Sequence, residues 1–109
     1  MKNAAFFLVE DEALLRMMTA DMLEELGYRV VAEAGTVRAA EPLARTVEFD
    51  LAILDINVGG TNIAPIAEIL AARGLPFIFV SGYVRRDGRY RFRIGQFCKS
   101  RSLSQVSLP

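Results

Sequence analysis

Residues 4–12 read AAFFLVEDE, an apolar run of six residues that ends at three consecutive acids. An uninterrupted apolar run of this length is typical of a strand that is buried on both faces of a parallel sheet. In the next segment, 13–26, apolar residues recur at helical intervals, and Gly27 stands where a glycine often ends a helix. This part of the chain therefore predicts a strand and a helix joined by an acidic turn.

The same alternation of strand and helix continues to residue 82. Further strands are predicted at 28–33 (YRVVAE), 51–55 (LAILD) and 77–80 (FIFV), and further helices at 36–47 and 63–73. Pro42 suits the second helix only if that helix starts late or kinks, whereas Pro65 falls in the first turn of its helix, where proline is tolerated. The order βαβαβαβ predicts an α/β fold with a doubly wound parallel sheet.

Composition narrows the class of protein. A chain of 109 residues, 52% hydrophobic and 24% charged, is typical of one globular domain. With one cysteine, Cys98, and no histidine, the chain has no intrachain disulfide, no His-based catalysis and few ways to bind zinc. We expect a cytoplasmic protein, and since the net charge is zero and no apolar run could span a bilayer, neither nucleic acid nor membrane is an expected partner.

Acidic and polar residues follow the predicted strands. Glu10 and Asp11 end the first strand, Asp55 ends the third, and Ser81 follows the fourth. Ligands of such sheets bind beyond the carboxyl ends of the strands, and clustered carboxylates favour a hard divalent cation such as Mg²⁺. A carboxylate beside Mg²⁺ can attack a phosphoryl group and form an aspartyl phosphate. Each feature alone has a simpler explanation, because acids and serine also cap helices and aspartate is common in turns.

Three motifs together, LVEDE at 8–12, ILDINVGG at 53–60 and FVSGY at 79–83, resemble the receiver domain of bacterial response regulators. Their order and spacing also match, with 44 residues between the two motif aspartates and 26 more to the serine. The loop at 53–60 lacks a Met-Pro pair, as in some stand-alone receivers and receivers fused to histidine kinases. The resemblance covers residues 4 to about 87 and implies a flavodoxin-like strand order of 2-1-3-4-5.

The resemblance implies a role for each motif residue. Asp55 would be the phosphoacceptor. Mg²⁺ would be held by Glu10, Asp11, Asp55 and the backbone carbonyl of Asn57, and Ser81 would hydrogen-bond the phosphoryl group. The donor would be a histidine kinase or a phosphotransfer protein. The chain would not be an enzyme beyond self-phosphotransfer and slow autodephosphorylation.

Two other functions stay open at this point. The chain could be a receiver-like interaction protein that is impaired in phosphotransfer, because the Lys-Pro strand of the family is degraded in it. It could also be a small phosphotransfer enzyme with an aspartyl nucleophile, against which its short length weighs.

The C-terminal segment departs from the family pattern. The family ends its fifth strand with a Lys-Pro pair and adds a fifth helix. Lys99 lies close to where that lysine belongs, and the resemblance implies that it would bind the phosphoryl group together with Ser81, but Ser100 follows it in place of proline. The ten residues after Lys99 are too few for an amphipathic helix of about three turns. We expect a receiver core at 1–87 and an atypical segment at 88–109, with the fifth strand and helix altered or truncated and no separate output domain.

The balance of acidic and basic residues also changes close to the start of this segment. Residues 1–84 hold 6 basic and 12 acidic residues, whereas residues 85–109 hold 7 basic residues and 1 acidic residue. The basic tail could be a nucleic-acid patch, a solvated charged face or an out-of-frame translation of GC-rich DNA. No recognition motif supports the first interpretation, and we favour the third.

An out-of-frame tail makes a prediction about the gene. When residues 93–102 are back-translated and read from the third base of each codon, codon choices exist that give DRPVLQKPF, which resembles the fifth strand and Lys-Pro pair of the family. We expect the DNA across codons 85–109 to encode this strand in the shifted frame, with the change of frame between about Asp87 and Arg93. A shifted frame without a Lys-Pro strand contradicts this hypothesis.

Loss of the fifth helix also makes a prediction about assembly. It would bare apolar sheet surface and the adjoining face of the helix at 13–26, and exposed apolar patches favour association. We expect a homodimer through the altered C-terminal region, measured by size-exclusion chromatography with light scattering. A clean monomer at tens of micromolar contradicts this expectation.

Overall fold

The computed structural model describes residues 3–58, 61–84, 86–88, 90–99 and 102–103, with side chains for 3–56, 62–81 and 86–88. The strands are β1 (Ala5–Val9), β2 (Arg29–Ala34), β3 (Leu51–Asp55), β4 (Asn57–Val58), β5 (Thr61–Asn62), β6 (Phe77–Val84), β7 (Tyr90–Lys99) and β8 (Ser102–Leu103). The helices are α1 (Ala13–Glu25), α2 (Val37–Thr46) and α3 (Ala64–Ala72).

Four parallel strands form the centre of the fold. β1 pairs with β2 on one side and β3 on the other, and β3 pairs with β6, all in parallel. The order β2-β1-β3-β6 confirms the predicted doubly wound sheet and matches the first four strands of the flavodoxin-like order. β7 runs antiparallel beside β6, and β8 antiparallel beside β7.

Both faces of the parallel sheet are covered by apolar layers. All five residues of β1 are buried, which explains why its sequence does not alternate between apolar and polar residues. The layer on the side of α2 and α3 contains buried residues of the strands and of both helices: Phe7, Val9, Ala40, Ala44, Leu54, Ile66 and Leu70. The layer on the side of α1 contains Phe6, Leu8, Ala20, Leu23, Ile53, Ile78 and Val80.

The edge strand β2 contains an irregularity. Phe6 pairs with Val30 and Phe7 with Ala32, so that Val31 is an extra residue in the ladder. The bulge allows Val30 to pack in the α1 layer and Ala32 in the α2–α3 layer. Ala34, at the end of the strand, is therefore buried beside the carboxyl end of β1.

The predicted helix boundaries are confirmed to within two residues. Thr36 caps α2, since its Oγ1 accepts a hydrogen bond of 3.0 Å from the Ala39 N–H. Pro42 lies inside α2, which starts directly after its cap, so a late start is not needed. Proline removes the N–H that would bond to the Arg38 carbonyl, and both residues lie on the exposed side of the helix, where water can bond to that carbonyl.

One reciprocal contact fixes the register between β1 and β3 at their amino ends. The Ala5 N–H donates to Asp50 Oδ2 and the Asp50 N–H donates to the Ala5 carbonyl, both at 2.7 Å. The pairing then continues from Phe6 with Leu51 to Val9 with Leu54.

Within the part of the chain that the structure describes, no helix has the length and apolar character that crossing a membrane requires.

Candidate functional site

The carboxyl ends of β1 and β3 bring the acidic residues together. Because Val9 pairs with Leu54, the next residues, Glu10 and Asp55, leave neighbouring strands at the same edge of the sheet. Carboxylate oxygens of Glu10, Asp11 and Asp55 all lie within 4.8 Å of one another. The cluster predicted from the strand ends therefore forms in the folded chain.

The three acids differ in exposure. Glu10 and Asp55 are 4% and 8% exposed, whereas Asp11 lies at the surface. Two carboxyl groups are thus held out of water beside each other, and the third faces the solvent from which a cation or another protein would approach.

Burial changes the proton affinity of Glu10. Removal from water raises the pKa of its carboxyl to about 8, and hydrogen bonds to the side chains of Asp55 and Asp11 and repulsion from Asp55 act in the same direction. A hydrogen bond of 3.0 Å from the Glu12 N–H to Glu10 Oε2 opposes the rise. When no cation is bound, this rise in pKa favours the protonated form of Glu10.

The donor set fits a magnesium ion. Mg²⁺ prefers oxygen ligands, and carboxylates are common among them. One oxygen from each of the three carboxyl groups lies within 4.8 Å of the others, so all three could contact a single cation. Glu10, Asp11 and Asp55 are the side chains that would hold it.

The acidic loop 10–12 is held by main-chain contacts on two sides. The Glu10 N–H donates to the Ala34 carbonyl of β2 at 3.0 Å. The Glu10 carbonyl accepts a hydrogen bond of 2.7 Å from Arg16 Nη1, which reaches back from the first turns of α1. Arg16 was not predicted from the sequence, although it is the only basic residue between positions 3 and 28.

The remaining predicted site residues are Ser81, Asn57 and Lys99. Ser81 is exposed and follows Val80, whose backbone pairs with Asp55 and whose carbonyl accepts a hydrogen bond of 3.1 Å from the Ile56 N–H. Ser81 thus shares the edge of the sheet with the acids. Asn57 begins β4, two residues after Asp55.

Lys99 ends β7. The neighbouring residue, Cys98, pairs with Phe77 at the amino end of β6, and Lys99 itself pairs with Ser102. The side chains of Asn57 and Lys99 lie outside the described part of the structure, so their roles at the site stay predictions.

Comparison with known proteins identifies the family of the chain. The family model for the response regulator receiver domain matches residues 6–92. The chain is similar to the transcriptional regulatory protein PdtaR of Mycobacterium tuberculosis, with 38% identity over 81 residues, covering 73% of this chain and 40% of PdtaR. It therefore spans less than half the length of that relative.

Several solved structures also resemble the chain in fold and sequence. SdrG from Sphingomonas melonis is 43% identical with a TM-score of 0.63, over 70% of this chain and 65% of SdrG. The anti-anti-sigma factor PhyR of Bartonella quintana, solved in complex with the anti-sigma factor NepR, is 27% identical with a TM-score of 0.72, over 85% of this chain and 40% of PhyR. With the family model covering most of its length, the chain belongs to the response regulator receiver domain family.

Proposed function

We propose that the chain accepts a phosphoryl group on Asp55 from the phosphohistidine of a histidine kinase or phosphotransfer protein. Mg²⁺ would be bound by Glu10, Asp11, Asp55 and the backbone carbonyl of Asn57. The observation that carries the proposal is the convergence of three carboxylates within 4.8 Å at the carboxyl edge of the sheet. Membership of the receiver family supports it, because these proteins are generally signalling proteins rather than enzymes.

The proposed step is a displacement at phosphorus. A carboxylate oxygen of Asp55 attacks the phosphorus atom, an O–P bond forms, and the P–N bond to the donor histidine breaks. The histidine nitrogen leaves with the electron pair and takes up a proton. Bound Mg²⁺ would offset negative charge on the phosphoryl oxygens during transfer.

The exposure of the site residues supports a donor that docks at this edge. Asp55 is almost buried, while Asp11 and Ser81 beside it are exposed. A donor protein would therefore present its phosphoryl group along the sheet edge rather than from a face. The Ser81 hydroxyl would then donate a hydrogen bond to a phosphoryl oxygen and change its orientation with phosphorylation.

The output would be a protein contact. The receiver core proposed for residues 1–87 would change its surface near β6 on phosphorylation and act on a partner protein. The complex of the similar PhyR with NepR supports a protein partner. Self-association is also supported, because Leu14 and Met17 of α1 are 59% and 55% exposed.

An interaction protein without efficient phosphotransfer is the second candidate. The observation that favours it is Ser100, which follows Lys99 where the family has proline. In this case the acidic cluster would still bind a cation, and the partner surface would not depend on phosphorylation.

Intact mass spectrometry after incubation with Mg²⁺ and acetyl phosphate separates the two candidates. We expect the parent protein to gain the mass of one phosphoryl group and Asp55→Asn to gain none, because the nucleophilic oxygen is replaced by an amide. Asp21→Asn, which changes an exposed aspartate of α1, should behave like the parent. No gain in the parent, with Mg²⁺ binding retained, would favour the interaction protein.

The proton on Glu10 predicts how stability depends on pH. The pKa of Glu10 is about 8 in the folded chain and about 4.5 when the residue is in water, so the folded state binds more protons between these values. The free energy of unfolding should therefore fall as the pH rises from about 5 to about 8.5 without metal, by an amount on the order of 3 kcal/mol. Urea unfolding followed by circular dichroism measures it.

Added Mg²⁺ should offset part of the fall in the free energy of unfolding at high pH. The cation replaces the proton on Glu10 and binds more tightly as the pH rises. Glu10→Gln should flatten the pH dependence, and Glu24→Gln, at an exposed glutamate of α1, should leave it unchanged. A free energy of unfolding that stays level from about pH 5 to 8.5 in the metal-free parent would contradict the raised pKa of Glu10.

A further inference from the structure

We propose that Arg16 is a positioning residue for the acidic loop 10–12, and that Gly35 leaves free the space in which the Arg16 guanidinium lies. The inference rests on the proposed function, since it concerns how the metal-binding loop is held. It adds a residue from α1 and one from the end of β2 to a site whose acids come from β1 and β3.

The first support is the bond from Arg16 to the main chain of the loop. Arg16 Nη1 donates to the Glu10 carbonyl at 2.7 Å, the short distance of a charge-assisted hydrogen bond. That carbonyl belongs to the peptide unit that joins Glu10 to Asp11. Because the Glu10 N–H is bonded to Ala34, the two contacts together fix the direction in which the chain enters Asp11.

The second support is the space around Gly35. A Cβ atom added to Gly35 would lie 2.7 Å from Arg16 Nη1, closer than non-bonded atoms approach. Gly35 is not among the glycines with positive φ, which are Gly27, Gly74 and Gly88 in the described chain. Its backbone conformation is therefore open to other residues, but a side chain at this position would require the Arg16 guanidinium to move from where it contacts the loop.

The third support is the ion pair between the Arg16 guanidinium and Glu33 of β2. Arg16 Nε lies 3.5 Å from Glu33 Oε1, and the two side chains are 25% and 44% exposed. Partly exposed ion pairs contribute little to stability, so Glu33 mainly sets the direction of the arginine. The plane of the guanidinium thus bridges the end of β2 and the loop after β1.

Magnesium affinity tests the inference, measured by titrating Mg²⁺ into ¹⁵N-labelled full-length protein and following the Glu12 amide by NMR. Arg16→Ala should weaken Mg²⁺ binding roughly tenfold, the effect expected when a residue that orients metal ligands is lost. Arg16→Lys, which keeps a cationic donor, should recover most of this loss. Gly35→Ala should weaken binding roughly threefold or more, because it displaces the guanidinium while leaving the arginine in the chain.

Arg29→Ala is the matched control. Arg29 Nε also donates to a main-chain carbonyl, that of Asn3 at 3.2 Å, but at the amino end of β2, far from the acids. The Mg²⁺ affinity of Arg29→Ala should stay within about twofold of the parent, because Arg29 makes no contact with the acidic loop. Arg16→Ala within twofold of the parent would overturn the inference.

Hydrogen exchange in the metal-free protein gives a second readout that does not depend on Mg²⁺. The Asp11 and Glu12 amides should exchange several-fold faster in Arg16→Ala and in Gly35→Ala, with amides of β3 unchanged. Unchanged loop exchange would overturn the positioning role even if the parent binds Mg²⁺. If the parent binds no Mg²⁺, the proposed function fails. Faster exchange in the two variants would then show only that Arg16 orders the loop. The absence of Mg²⁺ binding would overturn the role of Arg16 in metal binding.

Discussion

The parallel pairing of β1 with β3 forces two acidic strand ends together. Val9 pairs with Leu54, and the chain has no freedom to separate Glu10 from Asp55 without breaking that ladder. Both residues are also buried, with 4% and 8% of their surface exposed. Repulsion between them in a medium of low polarity has to be relieved, by a proton on Glu10 or by a cation.

Relief by a cation and relief by a proton have different consequences. A proton on Glu10 neutralises one carboxylate and is supported by hydrogen bonds to the side chains of Asp55 and Asp11. A divalent cation can bind oxygens of all three residues at once and leaves Asp55 available beside a positive charge. The proposed phosphoryl transfer would use the cation-bound arrangement, in which Asp55 lies beside a positive charge.

Much of this arrangement could be predicted from the sequence, because it depends on side-chain patterns. The uninterrupted apolar runs that became β1 and β3 predicted the strands, and the acids directly after them predicted the cluster. Arg16 escaped prediction because its partner is the Glu10 carbonyl, and a main-chain acceptor has no signature in the residue types. The bulge at Val31 and the extension of β6 beyond Val80 depend on neighbouring strands, which a local pattern does not contain.

The reciprocal bond between Ala5 and Asp50 lies at the opposite end of the sheet from the acids, yet it sets their alignment. Each residue of a parallel strand advances the chain by about 3.3 Å, so an insertion or deletion in β1 or β3 would move Glu10 past Asp55 by more than a set of metal ligands can absorb. It would also turn the side chains that follow to the other face. These two strands are therefore constrained in length as well as in composition: across this family, insertions should be tolerated in the loops around them and excluded between the Ala5–Asp50 contact and the acids.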